Sequence, residues 1–445
     1  MKSLTPERIF DYLLIVVVFL NFTNIYTFLS GLTGLSFKVF GIGSILLMVG
    51  YCMVNSASLS RFLSVKPALW FLLLFVVIPI VTTAYAPLRE LRYIGYTTNS
   101  GMIFIVTGIW IIKYGWVSFS KIILLSWGVC ISGIVLSYFA PAVFEQVALI
   151  QEQAAGGANS WSVVDIAESS QSRAFGFYMQ ANRAGHAVIM HLLVLLPFLL
   201  HDRSYWRIVL LAVSFGAVLL TGSRGGFLVL LFLSNILFFY EFKNGVRTKH
   251  GISPGIAALP RYALLVGTSA LVGFFIITVS IQSDLLEAGS SSATRIFESL
   301  FSGEYDIAVD SSVQARLHTQ EIFISRILEE PILGRGHYST EWGKYHGIIP
   351  ISAHNMYLNL AYQYGIPVML GCYALLFYLL FSREAKAVVE HFRFNPVFML
   401  VFALCTYSFI STTAFDQRMF PAVISFFLVM LYRRGGGLLE EKYHN

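Results

Sequence analysis

About twelve times along this chain an apolar run of near membrane-crossing length ends in charge, proline or glycine, and that recurrence limits the fold more than any single motif. The runs cover residues 11–29, 39–54, 67–85, 94–112, 122–139, 185–200, 206–220, 226–240, 262–281, 356–381, 396–410 and 420–432. A helix needs about 20 apolar residues to cross the hydrocarbon layer, so the shorter runs imply tilt, kinks or incomplete crossing. With 56% of its 445 residues apolar and 12% charged, the chain excludes a string of soluble domains. The expected fold is all-α and polytopic, with about 12 transmembrane helices. The start, charged and then apolar, has the order of an export signal, but no small-residue cleavage site follows it cleanly, so it is read as the first helix.

Two longer hydrophilic stretches interrupt the runs and divide the chain. Residues 1–139 hold helices one to five, 140–184 a first loop, 185–281 helices six to nine, 282–355 a large loop, and 356–445 the last three helices and a tail. Placing both termini in the cytoplasm puts 18 of the 30 basic residues inside, among them Lys2, Arg8, Arg61, Lys66, Lys113 and Lys121. Both long loops then emerge on the outer face. The formal net charge of +6 forms no patch suited to nucleic acid, and is accounted for by this sidedness. Cys52, Cys130, Cys372 and Cys405 all fall inside apolar runs, as small buried residues rather than disulfide partners.

The outer basic residues are almost all arginine: Arg89, Arg92, Arg173, Arg183, Arg224, Arg295, Arg316, Arg326, Arg335 and Arg418, against Lys38 and Lys344. A planar guanidinium donates two parallel hydrogen bonds to a phosphate. At an effective dielectric of about 20, one such charge about 4 Å from a phosphate oxygen is worth roughly 4 kcal/mol, so two or three could hold a lipid diphosphate. The competing reading is that loop arginines cap helices or pair with acids of their own loops.

Three outer segments carry the chemistry. QSRAFGFYMQANRAGHAVIM enters the sixth run and holds Arg173, Asn182 and Arg183; LLTGSRGGFLVLL puts Arg224 at the membrane surface, with Gly225 and Gly226 allowing either close helix packing or the approach of a bulky anion. In the large loop, Asp310, Ser311 or Ser312 caps a helix that runs to Glu330, where Pro331 stops it. Val313, Leu317, Ile324 and Leu328 recur at helical spacing, so this helix is amphipathic and lies on or near the membrane, with Arg316 on its more polar side. Gly334, Arg335 and Gly336 then form a turn, and Ser352-Ala353-His354-Asn355 leads into the tenth run. A neutral imidazole at a membrane edge accepts a hydroxyl proton near neutral pH, which makes His354 the candidate base; the alternative is a helix-start histidine bonded to backbone. His337 and His346 are weaker rivals, at flexible loop tips. No Asp-x-Asp and no cluster with metal-ligand spacing occurs, which disfavours metal-assisted transfer and leaves charge neutralisation to arginine. Few acids lie within the runs, which lowers the case for a coupled transporter.

In order, R-A-F-G with A-N nine residues after the arginine, S-R-G-G, Arg316, P-I-L-G-R-G, H-N-M-Y-L and Y-G-I resemble the bacterial O-antigen ligase and polymerase superfamily. The resemblance covers about 173–365 by motif. It implies a glycosyltransferase of the GT-C type in the inner membrane, with a mainly helical periplasmic loop between spans nine and ten. It further implies a donor glycan on undecaprenyl diphosphate, metal-independent transfer with inversion, and no cofactor. Carried onto this chain, Arg173, Arg224 and Arg316 bind the donor diphosphate, His354 activates the acceptor hydroxyl, and Asn182, Asn355 and Arg418 are secondary contacts. The two outer loops do not repeat one another, and one dominant loop enters the His-Asn helix, which favours a ligase using lipid A-core as acceptor over a polymerase. A lipid-glycan transporter is the non-enzyme alternative.

Overall fold

A computed structural model describes residues 6–33, 37–86, 91–154, 174–178, 180–201, 206–245, 311–340, 343, 346–347, 349, 354–386, 395–412, 414–415 and 419–434. Among the described residues every regular element is helical. In order they are α1 (Pro6–Thr23), α2 (Ile25–Thr33), α3 (Phe37–Val54), α4 (Ser56–Leu63), α5 (Lys66–Thr82), α6 (Leu91–Tyr114), α7 (Trp116–Phe139) and α8 (Pro141–Ala154). They continue as α9 (Ala181–His201), α10 (Trp206–Thr221), α11 (Arg224–Gly245), α12 (Ser311–Glu329), α13 (Met356–Tyr364), α14 (Ile366–Phe381), α15 (Pro396–Ile410) and α16 (Phe420–Arg434).

By length and apolarity, Ile94–Tyr114 of α6 and Trp116–Phe139 of α7 suffice to cross a membrane, and α3 with α4 would make a third span but for their 93° bend. Other apolar helices are shorter, and the ninth run, 262–281, lies outside the described residues. Several runs that read as single spans are broken. The first breaks at Asn24, whose φ is +54°, and the tenth at Gly365, whose φ is +85°. At Gly365 a Cβ would stand 1.9 Å from the Ile332 carbonyl oxygen, so only glycine fits between α13 and α14. The third run carries a π turn at Leu73–Val77 just ahead of Pro79, whose missing N–H disturbs the α ladder.

Around the axis, α16 is buried from Phe420 to Leu431, apolar on every side as a central helix must be. It packs along α6 and touches α9, while α9 also packs on α7 and α10. The cysteines of the apolar runs are unpaired as expected, three of them buried.

The ends expected on the cytoplasmic side meet in one polar cluster. Lys113 Nζ, at the end of α6, lies 3.2 Å from Asp11 Oδ1 of α1 and 3.2 Å from Asn55 Oδ1 beyond α3. Tyr114 also donates to Asp11, and Asn55 Nδ2 donates to the Tyr51 carbonyl at 3.0 Å. Asp11 is buried, so its charge depends on these donors. Asp11→Ala, which removes the charge partner of Lys113, is expected to cost about 2 kcal/mol and to lower the thermal midpoint of the detergent-solubilised protein; Asp11→Leu combined with Lys113→Met recovers part of that loss.

Candidate active site

The opposite end of the bundle, the one expected to be outer, is built around a short segment, Ala174 to Tyr178, which follows directly on Arg173 and closes in a 3-10 turn at Gly176–Tyr178. Gly176 has φ +52°, and the amides of Phe175 and Gly176 both donate to Ser137 Oγ near the end of α7, at 3.2 and 2.9 Å. The Ala174 amide donates to the Leu220 carbonyl of α10 at 2.9 Å, and Asn24 Nδ2 donates to the Phe177 carbonyl at 2.6 Å. Tyr178 donates to the Phe22 carbonyl, and its hydroxyl lies 3.7 Å from Met419 Sδ. Gly133 makes the seat for Phe177, since a Cβ there would lie 2.5 Å from that ring. Phe28 of α2 and Phe144 of α8 close over the segment, 5.3 and 5.9 Å from the Phe177 ring.

Beside it, the turn between α10 and α11 meets α9. A Cβ on Gly185 would stand 2.8 Å from Ser223 Cβ, and one on Gly226 would stand 3.1 Å from Ser223 Oγ. Gly226 thus serves close packing, the plainer of its two sequence readings.

One helix joins this region to the histidine. Near the outer end of α15, Tyr407 Oη donates to the Asn182 carbonyl at 3.0 Å, and its ring lies 4.5 Å from that of buried His186. Close by, the Cys405 carbonyl accepts from Tyr357 Oη at 3.2 Å, and Phe409 lies 4.7 Å from the Tyr357 ring. Tyr357 follows His354 by three residues. Asn355 caps α13, its Oδ1 accepting from the Leu358 amide at 3.1 Å. His354 has φ +47°, a left-handed conformation that costs a non-glycine residue about 1 kcal/mol or more and so marks a constrained position.

The other end of α13 is clasped by the turn after α12. Arg335 and Gly336 amides donate to the carbonyls of Tyr362 and Gln363 at 2.9 and 2.8 Å, and the Ile366 amide donates to the Pro331 carbonyl at 2.8 Å. A Cβ on Gly334 would meet the Gly365 nitrogen at 2.5 Å, and one on Gly336 would meet Ala86 at 2.8 Å. Arg335 pairs with Glu329, which also holds Arg326 at 3.0 Å. For these two arginines the pairing within their own loop holds. His337, read from the sequence as a loop-tip residue, is 4% exposed: its Nε2 lies 2.9 Å from Thr97 Oγ1 of α6, and its Nδ1 shares a hydrogen bond with the Tyr364 hydroxyl of α13. Burial pushes this imidazole down to about 4, so it is neutral at neutral pH.

In α12 the buried face is Thr319, Phe323 and Ile327, packed toward Ala361 and Tyr362 of α13. Leu317, Ile324 and Leu328, the stripe seen in the sequence, are exposed. Of the expected site residues, Arg173 and Arg418 lie outside the described residues. Arg224 opens α11 and Arg316 lies in the second turn of α12, with the side chains of both outside what is described. The main chain next to Arg173, Arg224 and Arg418, together with Asn182, His354 and Asn355, gathers at this one end. Sequence reasoning missed Asn24, Ser137, Thr97, His186 and Tyr364 and weighed His337 only as a weaker rival for the base; the one clue to the first three was a polar side chain at the edge of an apolar run.

Among family models, the one described as O-antigen ligase matches residues 208–373. That segment runs from α10 through α12 and α13 into α14. It contains Arg224, Arg316 and His354. No curated protein matches the chain.

Ser137→Ala removes the acceptor of two buried amides, each worth about 1–3 kcal/mol when stranded. The variant is expected to unfold at lower temperature and to be cut by protease near 174–178; an unchanged cleavage pattern would mean that Ser137 does not hold the segment.

Proposed function

We propose that this protein is an inverting O-antigen ligase, passing a polysaccharide from undecaprenyl diphosphate to a sugar hydroxyl of lipid A-core at the periplasmic face of the inner membrane, in lipopolysaccharide synthesis. The observation that carries the reading is the family match over 208–373, which takes in the candidate base together with Arg224 and Arg316. In this mechanism His354 removes the acceptor proton as the hydroxyl oxygen attacks the anomeric carbon of the donor. The bond from that carbon to the diphosphate oxygen breaks on the opposite face, inverting the configuration. Arg173, Arg224 and Arg316 neutralise the charge that grows on the leaving diphosphate, the role that a metal ion fills in other transferases. Asn182, Asn355 and Arg418 support these groups. Asn355 has a cap to maintain as well, so its replacement would disturb α13 along with any contact to substrate.

Ordered transfer is tested with purified protein, an undecaprenyl-diphosphate glycan and lipid A-core, in a metal-free buffer. Glycan on lipid A-core only when that acceptor is supplied supports the ligase. Longer lipid-linked chains from donor alone would make the protein a polymerase, and no covalent product would turn the reading to a transporter. His354→Ala is expected to abolish transfer while donor binding persists, because losing a base affects chemistry more than diphosphate affinity; loss of binding instead would give His354 a structural role. Arg224→Ala is expected to weaken donor binding and Arg224→Lys to restore it only in part, since an ammonium cannot donate in bidentate fashion. A fully active lysine variant would remove that argument.

A further inference from the structure

His337 stands in none of the roles assigned above, yet its side chain hydrogen bonds both to α6 and to α13. Its two ring nitrogens reach Thr97 Oγ1 at 2.9 Å on one side and the Tyr364 hydroxyl on the other. Its ring stacks on Tyr364 at 5.7 Å and meets Tyr338 edge-on at 4.4 Å. The contacts around it all fasten the same helix end. Gln363 Oε1 accepts from the Tyr338 amide at 2.9 Å, Gln363 Nε2 donates to Asn359 Oδ1 at 3.1 Å, and Tyr85 Oη donates to the Leu333 carbonyl at 2.9 Å. From α5 and α6, then, a short chain of bonds passes through the turn 331–338 into the last residues of α13. The first residue of that helix follows the Asn355 cap, and His354 precedes the cap. A neutral imidazole donates at one nitrogen and accepts at the other, and hydroxyl groups serve both needs, so the bridge is complete without a charge.

We propose that His337 is a positioning residue, bridging Thr97 and Tyr364 so that α13 presents His354 in one fixed place. Nothing requires His337 to touch substrate. The inference rests on the reading of His354 as the base, and the experiment separates the two. At its start α13 is held through Tyr357, and at its far end by the backbone bonds from the turn to Tyr362 and Gln363; the His337 bridge is what hydrogen bonds that clasped end to Thr97 of α6. A misplacement of about 1 Å at a reacting group costs up to about a hundredfold in rate, so loss of the bridge falls on turnover rather than on donor binding.

Four variants are compared in the transfer assay with an undecaprenyl-diphosphate glycan and lipid A-core: His337→Ala, His337→Gln, the pair Thr97→Val with Tyr364→Phe, and His354→Ala. For His337→Ala the expected result is a kcat down about tenfold or more with donor KM within about twofold, per folded molecule counted by size-exclusion and thermal melting. The Thr97→Val, Tyr364→Phe pair is expected to lose a similar factor and to show little further loss when His337→Ala is added, because the three side chains act as one unit. His337→Gln, which keeps a donor and an acceptor, restores part of kcat. An unchanged kcat in the His337 variants beside an inactive His354→Ala overturns the inference alone, as does a loss confined to the folded fraction. An active His354→Ala overturns the reading of the base. Should His337→Ala fail to fold, Tyr364→Phe, which deletes one oxygen, carries the same kcat and KM comparison.

Discussion

Backbone hydrogen bonding governs this protein. In an apolar bundle an amide that leaves its helix has no water to turn to, and a stranded one costs several kcal/mol in hydrocarbon, so irregular backbone survives only where particular groups receive it. Here such groups are concentrated at one end. Ser137 takes the amides of Phe175 and Gly176, the Leu220 carbonyl takes that of Ala174, and Asn24 supplies the Phe177 carbonyl. At the break between α13 and α14, the Pro331 carbonyl takes the Ile366 amide. Asn24, Thr97 and Ser137, polar residues near the edges of the first, fourth and fifth apolar runs, are therefore hydrogen-bond partners for the segments that follow, which gives those runs a structural part there despite their lack of a motif.

Strain follows the same distribution. The three non-glycine residues with positive φ are, among the described residues, Asn24, Tyr338 and His354. Asn24 marks the break in the first run and holds the Phe177 carbonyl; Tyr338 follows His337 in the turn; His354 precedes the cap of α13. Each costs on the order of 1 kcal/mol or more and persists where the surrounding contacts over-determine it. At the opposite end the joint between α6 and α7 turns at Gly115, whose φ of +83° a glycine adopts without strain, and the Asp11–Lys113 pair ties helices together there. The non-glycine residues with positive φ among the described residues thus gather at the end that carries His354.

Much of this was legible in the sequence, for physical reasons that differ from element to element. Apolar runs bounded by charge showed most of the helices, because period and composition are local properties. Pro331 stopped α12 close to where expected, and Gly334 and Gly336 form the expected turn because their positive φ is a local demand. The breaks at Asn24 and Gly365 were not read from the sequence, since a single Asn or Gly within an apolar run is also compatible with an unbroken helix. Nor was His337: its partners lie 240 and 27 residues away, and a histidine between Gly336 and Tyr338 has the local composition of an exposed tip. The stripe of Leu317, Ile324 and Leu328 on α12 was visible, but the face that packs on α13 holds Thr319, which no hydrophobic pattern selects.

The arginines show why a family motif and a reactive group are different things. Within P-I-L-G-R-G, Arg335 sits where a donor-binding role would be attractive, yet its guanidinium meets Glu329 and lies 5.8 Å from the centre of the Tyr362 ring. A flat cation suits both contacts, one by hydrogen bonding and one by stacking, which a lysine would not match. The same six residues supply the carbonyl that receives Ile366, the two glycines that let the turn approach α13 and α5, and the amides that cap the end of α13. Their chemistry is spent on holding the helix that follows His354. The motif thus acts as scaffold through its backbone and its ion pair, and Arg173, Arg224 and Arg316 remain the arginines proposed for the donor.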